Sequence, residues 1–237
     1  MEPLNHQMMG YDRAVSMFSP DGRLLQVEYA KKTVKQGSTA IGLVCNDAVV
    51  LVAQKRLPGK LIISSSVEKI YKIDDHLMST FAGITSDARV LVERSQTKAQ
   101  QNRVSYDTPV DVISIVKDIS DLKQYTTQSG GLRPFGVSLI LAGVDVNGPK
   151  IYVTDPTGIY FQYNAVAIGE NEAKVTEFLE KEFKENLSCD EAIKLAISAI
   201  KSSTEEDLKE DSLEIAVVEK ESTYRKLSEN EVGKFLK

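Results

Sequence analysis

The order of strand and helix patterns along this chain predicts an α+β fold. Two strand-rich stretches, 39–82 and 136–168, are each followed by a pair of helical segments, with no one-by-one alternation of strand and helix. Blocks of this kind favour antiparallel sheets covered by helix layers over a doubly wound parallel sheet. A chain of 237 residues, 42% of them apolar, can bury a full core, so one domain spanning 1–237 is expected.

The first signal is Ser19-Pro20-Asp21-Gly22, where Pro20 presets φ and Asp21 and Gly22 tolerate a tight reversal. Behind it, from Arg23 to about Lys35, there is neither Pro nor Gly, and Leu24, Val27, Ala30 and Val34 recur at three- and four-residue spacing. That is an N-terminal helix with one apolar face, spanning about 20–35 with its turn. Residues 1–17 ahead of it are polar, methionine-rich and aperiodic, and read as an arm.

Thr39 to Ala53 reads as two strands joined at Asn46-Asp47, and Lys69–Ile73 with Leu77–Ala82 as a second pair around Asp74-Asp75-His76. These four strands are expected in one sheet. Thr85 starts a helix to about Asn102 with Ala88, Leu91, Ser95 and Ala99 on one face, and Thr108-Pro109 opens another with Ile115, Ile119 and Leu122 as its stripe. The two helices should pack together. Strands expected at 136–144, 150–154 and 159–168 form a second sheet. Helices follow at 172–183 and 189–201, the latter opened by the capping box Ser188/Glu191, then a strand at 213–218 and a terminal helix capped by Ser228/Glu231.

Composition narrows the function. A net charge of −5 without basic clusters argues against nucleic-acid binding. The first ten residues lack the basic and apolar regions of a leader, and the longest apolar run, Ala48–Ala53, is too short to span a bilayer. A cytoplasmic protein with no membrane partner is expected. Cys45 and Cys189 are far apart without CxxC spacing, so both read as small core residues in a reducing compartment. His6 and His76 are the only histidines, His76 reads as a lone surface residue, and no HExxH, P-loop or Ser/His/Asp pattern occurs. No cofactor or metal is expected. Asn186-Leu187-Ser188 matches a glycosylation acceptor, but without secretion it reads as a helix start.

The stretch Phe18-Ser19-Pro20-Asp21-Gly22-Arg23-Leu24-Leu25-Gln26-Val27-Glu28-Tyr29-Ala30, with Tyr11-Asp12-Arg13 upstream, closely resembles the N-terminal signature of proteasome α subunits, archaeal members above all. The resemblance continues through Gly37-Ser38-Thr39-Ala40-Ile41-Gly42, Ser86–Leu91, Gly130–Leu139 and Ala167-Ile168-Gly169, and so spans most of the chain. It implies a four-layer αββα sandwich of the N-terminal-nucleophile hydrolase type over 38–237, with the extra helix in front.

Catalytic members of that fold use an N-terminal Thr, Ser or Cys whose free α-amine acts as base beside an acid and a lysine. Here Ser38 stands at the nucleophile position but is preceded by Lys35-Gln36-Gly37 and a whole helix. Gln54 occupies the position of the acid, and Lys69, after a one-residue gap, that of the lysine. One element of three survives, which predicts a non-catalytic subunit. The alternatives are a β-type threonine or serine amidohydrolase formed by processing at Ser38, and an unrelated α+β binding module whose N-terminal helix caps its own monomer.

The resemblance further implies a seven-membered ring of neighbouring α subunits stacked on proteasome β subunits, an AAA ATPase or other activator docking by its C-terminal tails, and unfolded protein substrates passing a gated pore. Residue by residue, it carries the gate to Tyr11, Asp12, Arg13, Pro20 and Tyr29. It carries the activator pocket to Lys69, Gly37 and Leu24, and an axial constriction to Ser129, Gly130, Gly131 and Leu132. Serine at 129 departs from the aromatic that relatives often carry there.

Overall fold

The computed structural model describes residues 10, 14–56, 59, 61–204, 208–220 and 223–236. Tyr11, Asp12 and Arg13 lie outside the described residues, as does most of the arm. Helix α1 (Leu25–Gln36) leads into the antiparallel hairpin β1 (Ala40–Val44) and β2 (Ala48–Gln54). A second hairpin, β3 (Ile70–Asp74) and β4 (Leu77–Gly83), is followed by the helices α2 (Thr85–Tyr106) and α3 (Val112–Gln128). Strands β5 (Val137–Asp145), β6 (Gly148–Thr154), β7 (Tyr160–Tyr163) and β8 (Ala165–Ile168) come next, then α4 (Glu172–Glu182) and α5 (Cys189–Ser203). Strands β9 (Leu213–Glu219) and β10 (Arg225–Lys226) and helix α6 (Glu229–Leu236) complete the described chain.

Two five-stranded sheets stack face to face, with strand orders β10-β9-β2-β1-β8 and β3-β4-β5-β6-β7. Strand β2 shows why they stack: every one of its residues is buried, because Val49, Leu51 and Ala53 face the other sheet while Val50 and Val52 face the helices α4 and α5. The same alternation puts Ile140 and Ala142 of β5 between the sheets and Leu139 and Leu141 under α2 and α3. Four layers, helix, sheet, sheet and helix, follow from strands apolar on both faces. Each large side chain sealed this way contributes about 1.5–3 kcal/mol.

The expected grouping of strands into sheets is corrected. The hairpins β1–β2 and β3–β4 belong to different sheets: β2 pairs along its full length with β9 from the far end of the chain, while β4 pairs with β5. The expected single strand at 159–168 is two strands in opposite sheets, with Asn164 between them handing its carbonyl to Val44 N–H of β1 at 2.8 Å. Hairpin signals are local, whereas sheet membership is decided by long-range partners that apolar periodicity cannot name. Helix α3 starts at Val112, not at Thr108-Pro109, because Val110 is buried and its carbonyl accepts from His76 Nε2–H at 2.7 Å, keeping the segment extended. His76 is therefore a half-buried tether and not a surface residue. The Ser188/Glu191 capping box forms as expected.

Candidate functional site

The neck between α1 and β1 gathers the residues that the sequence singles out. Val27, Ala30 and Val34 seat α1 on the ends of β4 and β5. The chain then crosses β4 so closely that a Cβ on Gly37 would lie 2.3 Å from Gly83 N, which no side chain permits. Gly37 O accepts from Glu170 N–H at 2.7 Å, Thr39 Oγ1–H donates to Glu170 O at 2.6 Å, and Gln54 N–H donates to Thr39 O at 2.9 Å. Gly169, at φ +98, faces the carbonyls of Gly37 and Ser38, where a Cβ would sit 2.8 Å from each. Ser38 is thus a buried interior residue of a continuous connection whose neighbours Gly37 and Thr39 are held by hydrogen bonds. Its nitrogen is an amide and cannot act as the base that N-terminal-nucleophile chemistry requires.

Lys69, just before β3, is only 6% exposed. Its Nζ donates to Phe81 O at 2.9 Å and lies 3.9 Å from the centre of the Phe81 ring. Burial pushes this ammonium from 10.5 down to about 8, with Glu214 pulling it back up and Arg56 lowering it further. Glu214, a residue the sequence pattern did not point to, is 3% exposed and comes from β9 of the opposite sheet. It accepts from the backbone N–H groups of Lys69 and Ile70 at 3.1 and 3.3 Å and pairs with Lys226 Nζ at 2.5 Å. A signal for it existed, since it is the one charge inside the apolar run Leu213–Val218.

The structure brings Gly37 and Lys69 to the same end of β4, because Lys69 holds Phe81 while Gly37 rests on Ala82 and Gly83. Leu24 stands elsewhere, at the opening of α1, which puts about 18 Å of helix between it and Gly37. The turn before α1 forms as expected. Gly22 N–H donates to Ser19 O at 2.8 Å, Ser19 Oγ accepts from Arg23 N–H at 3.2 Å, Gly22 has φ +72, and Pro20 is exposed. Tyr29 is half-buried on α1, with Lys32 Nζ 5.5 Å from the centre of its ring.

Ser129 caps α3 through its N–H to Tyr125 O at 3.1 Å, and Gly130, Gly131 and Leu132 project from there into open space. What fixes this loop is Arg133, whose guanidinium grips both oxygens of Asp87 at 2.7 Å while Gly136 N–H adds a bond at 2.9 Å. Burial pushes the Asp87 carboxyl upward, but these bonds outweigh it and hold the group below its ordinary value. Among the described residues, no group of three or more His, Cys, Asp or Glu is arranged to hold a metal.

Residues 34–218 match the family described as Proteasome subunit, and residues 11–32 match the N-terminal signature of its A-type members. The chain belongs to the proteasome subunit family. Its α-type character rests on that signature, which ends within α1, and on curated relatives. The proteasome alpha subunit of Archaeoglobus fulgidus is 48% identical over 229 residues, covering 96% of this chain and 93% of that protein. The corresponding protein of Pyrococcus horikoshii is 48% identical over 228 residues, covering 96% and 87%. That of Methanobrevibacter smithii is 44% identical over 237 residues, covering 100% and 94%. No described helix of this proteasome α-type subunit is long and apolar enough to cross a membrane.

Proposed function

We propose that this proteasome α-type subunit is a non-catalytic member of the outer ring of the 20S core particle, that its N-terminal segment gates access to the proteolytic chamber, and that the Lys69 region docks the C-terminal carboxylate of an activator. The observation that carries the non-catalytic reading is the neck. Helix α1 is packed into the fold through Val27, Ala30 and Val34, and Gly37 is wedged against Gly83, so the segment that a catalytic relative would remove is here an integral part of the core. Gln54, 7% exposed, also lacks the carboxylate that would hold a nearby lysine charged.

Docking at Lys69 is supported by its chemistry. A buried ammonium whose direct contacts are one carbonyl and one ring, with Glu214 acting on it only through space, is under-solvated, and an incoming carboxylate supplies a stronger direct partner. Leu24 then enters such a pocket as part of a wall extending along α1 or across to a neighbouring protomer. The gate rests on the match of Tyr11, Asp12, Arg13, Pro20 and Tyr29 to the family signature, and the constriction on the projection of Ser129–Leu132 from a pinned base. Neighbouring α subunits, β subunits, a ring ATPase and unfolded protein substrates are the partners this reading entails, in a cytoplasmic setting.

One reconstitution tests it. The purified chain alone should show no peptidase activity and an intact mass including residues 1–37. Assembled with β subunits, a chain lacking residues 1–12 should hydrolyse peptides several-fold faster, and Lys69→Met, which keeps the buried stem, should assemble normally yet lose activator stimulation. Labelling of Ser38 by an N-terminal-nucleophile inhibitor would overturn the non-catalytic reading. Unchanged rates after truncation would overturn the gate, and full stimulation of the Lys69 variant the docking site.

A further inference from the structure

Cys45 and Cys189, remote in sequence, meet in the fold. Cys45 directly follows β1, and Cys189 is the first residue of α5. The segments that carry them are tied by one backbone bond, Asn46 N–H to Leu187 O at 3.1 Å, while Cys45 N–H to Ala48 O at 2.8 Å closes the β1–β2 turn and Lys220 N–H to Asp47 O at 2.8 Å ties that turn to the end of β9. Both cysteines line one open cavity of about 490 Å³, together with Asp47, Ser188, Glu219 and Lys220. Each thiol perturbs the other, Cys189 helping to raise Cys45 and Cys45 offsetting part of the rise at Cys189. Cys45 is buried and Cys189 half-buried, so only the latter is offered to a reagent.

We infer that Cys45 and Cys189 are a redox-active pair that closes to an intramolecular disulfide when the chain meets a low-molecular-weight disulfide of the glutathione type. The steps balance without further reactants. The Cys189 thiolate attacks one sulfur of the oxidised reagent, forming a mixed disulfide and expelling one thiolate. The Cys45 sulfur then attacks Cys189 Sγ, expels the second thiolate and gives up its proton to it. One reagent disulfide is reduced to two thiols as the two protein thiols are oxidised to one bond. In a reducing milieu the reaction runs backward and the pair stays open.

The cavity sets the pace of the reaction. Burial pushes Cys45 up to about 12, the neighbouring Cys189 adding to it, and burial followed by the carboxylate of Glu219 raises Cys189. Asp190 adds to that rise, Asp47 brings a further negative charge to the rim and Lys220 is the cation there. Thiolate is therefore scarce at neutral pH, and closure accelerates as pH rises. The bond would staple the β1–β2 turn to the start of α5 across a loop of roughly 140 residues, a length at which the chain-entropy effect is large.

The test uses the full chain in its native state with oxidised glutathione at about pH 9.5, where more of the raised Cys189 thiol is ionised, followed by acid quench and mass spectrometry. The expected product is lighter by two hydrogens, carries no glutathione, yields a peptide joining Cys45 to Cys189, and melts about 5–10 °C higher than the reduced chain. Cys45→Ser should accumulate glutathione on Cys189, whereas Cys189→Ser should remain unmodified. A stable adduct on Cys189 of the unaltered chain with Cys45 still reduced, two unreacted thiols, or cross-linking only between chains would overturn the inference.

Discussion

Glu214 joins the two sheets at their edge through a single side chain. Its carboxylate leaves β9 and satisfies two backbone N–H groups at the start of β3, while Lys226 neutralises it. Removing the carboxylate leaves two buried donors unpaired and Lys69 without the one charge that favours its protonated form. Glu214→Ala should therefore cost about 3 kcal/mol, in the range for breaking a buried pair. Glu214→Gln, which keeps one acceptor oxygen, should cost less. Urea unfolding checks this, with a lower midpoint and an unchanged slope expected. Glu214, Lys123 and Asp87 do not stand out in the sequence as site residues, although two of them leave signals. Glu214 interrupts an apolar strand, and Lys123 continues the buried i, i+4 ladder of Ile115 and Ile119 in α3, where its Nζ bonds to Val137 O and Thr154 O at 3.0 Å. Their partners come from distant strands, which no local pattern reveals.

At the scale of elements, what is readable in the sequence is whatever local chemistry decides. The turn at Ser19–Gly22, both first hairpins and the Ser188/Glu191 box rest on contacts within a few residues, and the face of α1 shows in the three- and four-residue spacing of Val27, Ala30 and Val34. Sheet membership, the split at Asn164 and the delayed start of α3 rest on partners more than twenty residues away, and these the sequence pattern misses. The same division explains the site. Gly37 draws notice as part of a motif, yet its physical reason is the crossing over Gly83, visible only once β4 lies beneath it. Gly37→Ala should force α1 away from β4, because the new methyl would meet backbone atoms that cannot rotate aside. A loss of about 2–4 kcal/mol is expected, as for severe overpacking. Limited proteolysis should cut within α1 in this variant and spare the parent. Equal resistance of the two chains would mean that the neck yields more easily than its geometry implies.

Across the whole molecule, four buried or half-buried groups with displaced proton affinities shape stability against pH. Lys123 and Lys69 are lowered by burial to about 7 and about 8 from 10.5. Between those values and 10.5 the unfolded chain binds protons that the folded chain does not, so stability rises with pH, by up to about 1.4 kcal/mol per unit for each proton of difference. Cys45 and Tyr224 run the other way: burial raises both to about 12, from 9.0 and 10.0. Above those ordinary values the unfolded chain has lost protons that the folded one retains, and stability falls. Cys189 and Tyr71, also raised chiefly by burial, add to the fall. The isolated chain should thus gain stability from about pH 7 to 9, level off between 9 and 10, and lose it above 10. Denaturant melts at half-unit intervals of pH trace the curve. Lys123→Met should flatten the neutral rise despite a lower overall stability, because the two carbonyls lose their donor while the titration disappears. Closing the Cys45–Cys189 bond should shrink the alkaline fall, since neither sulfur then has a proton to lose.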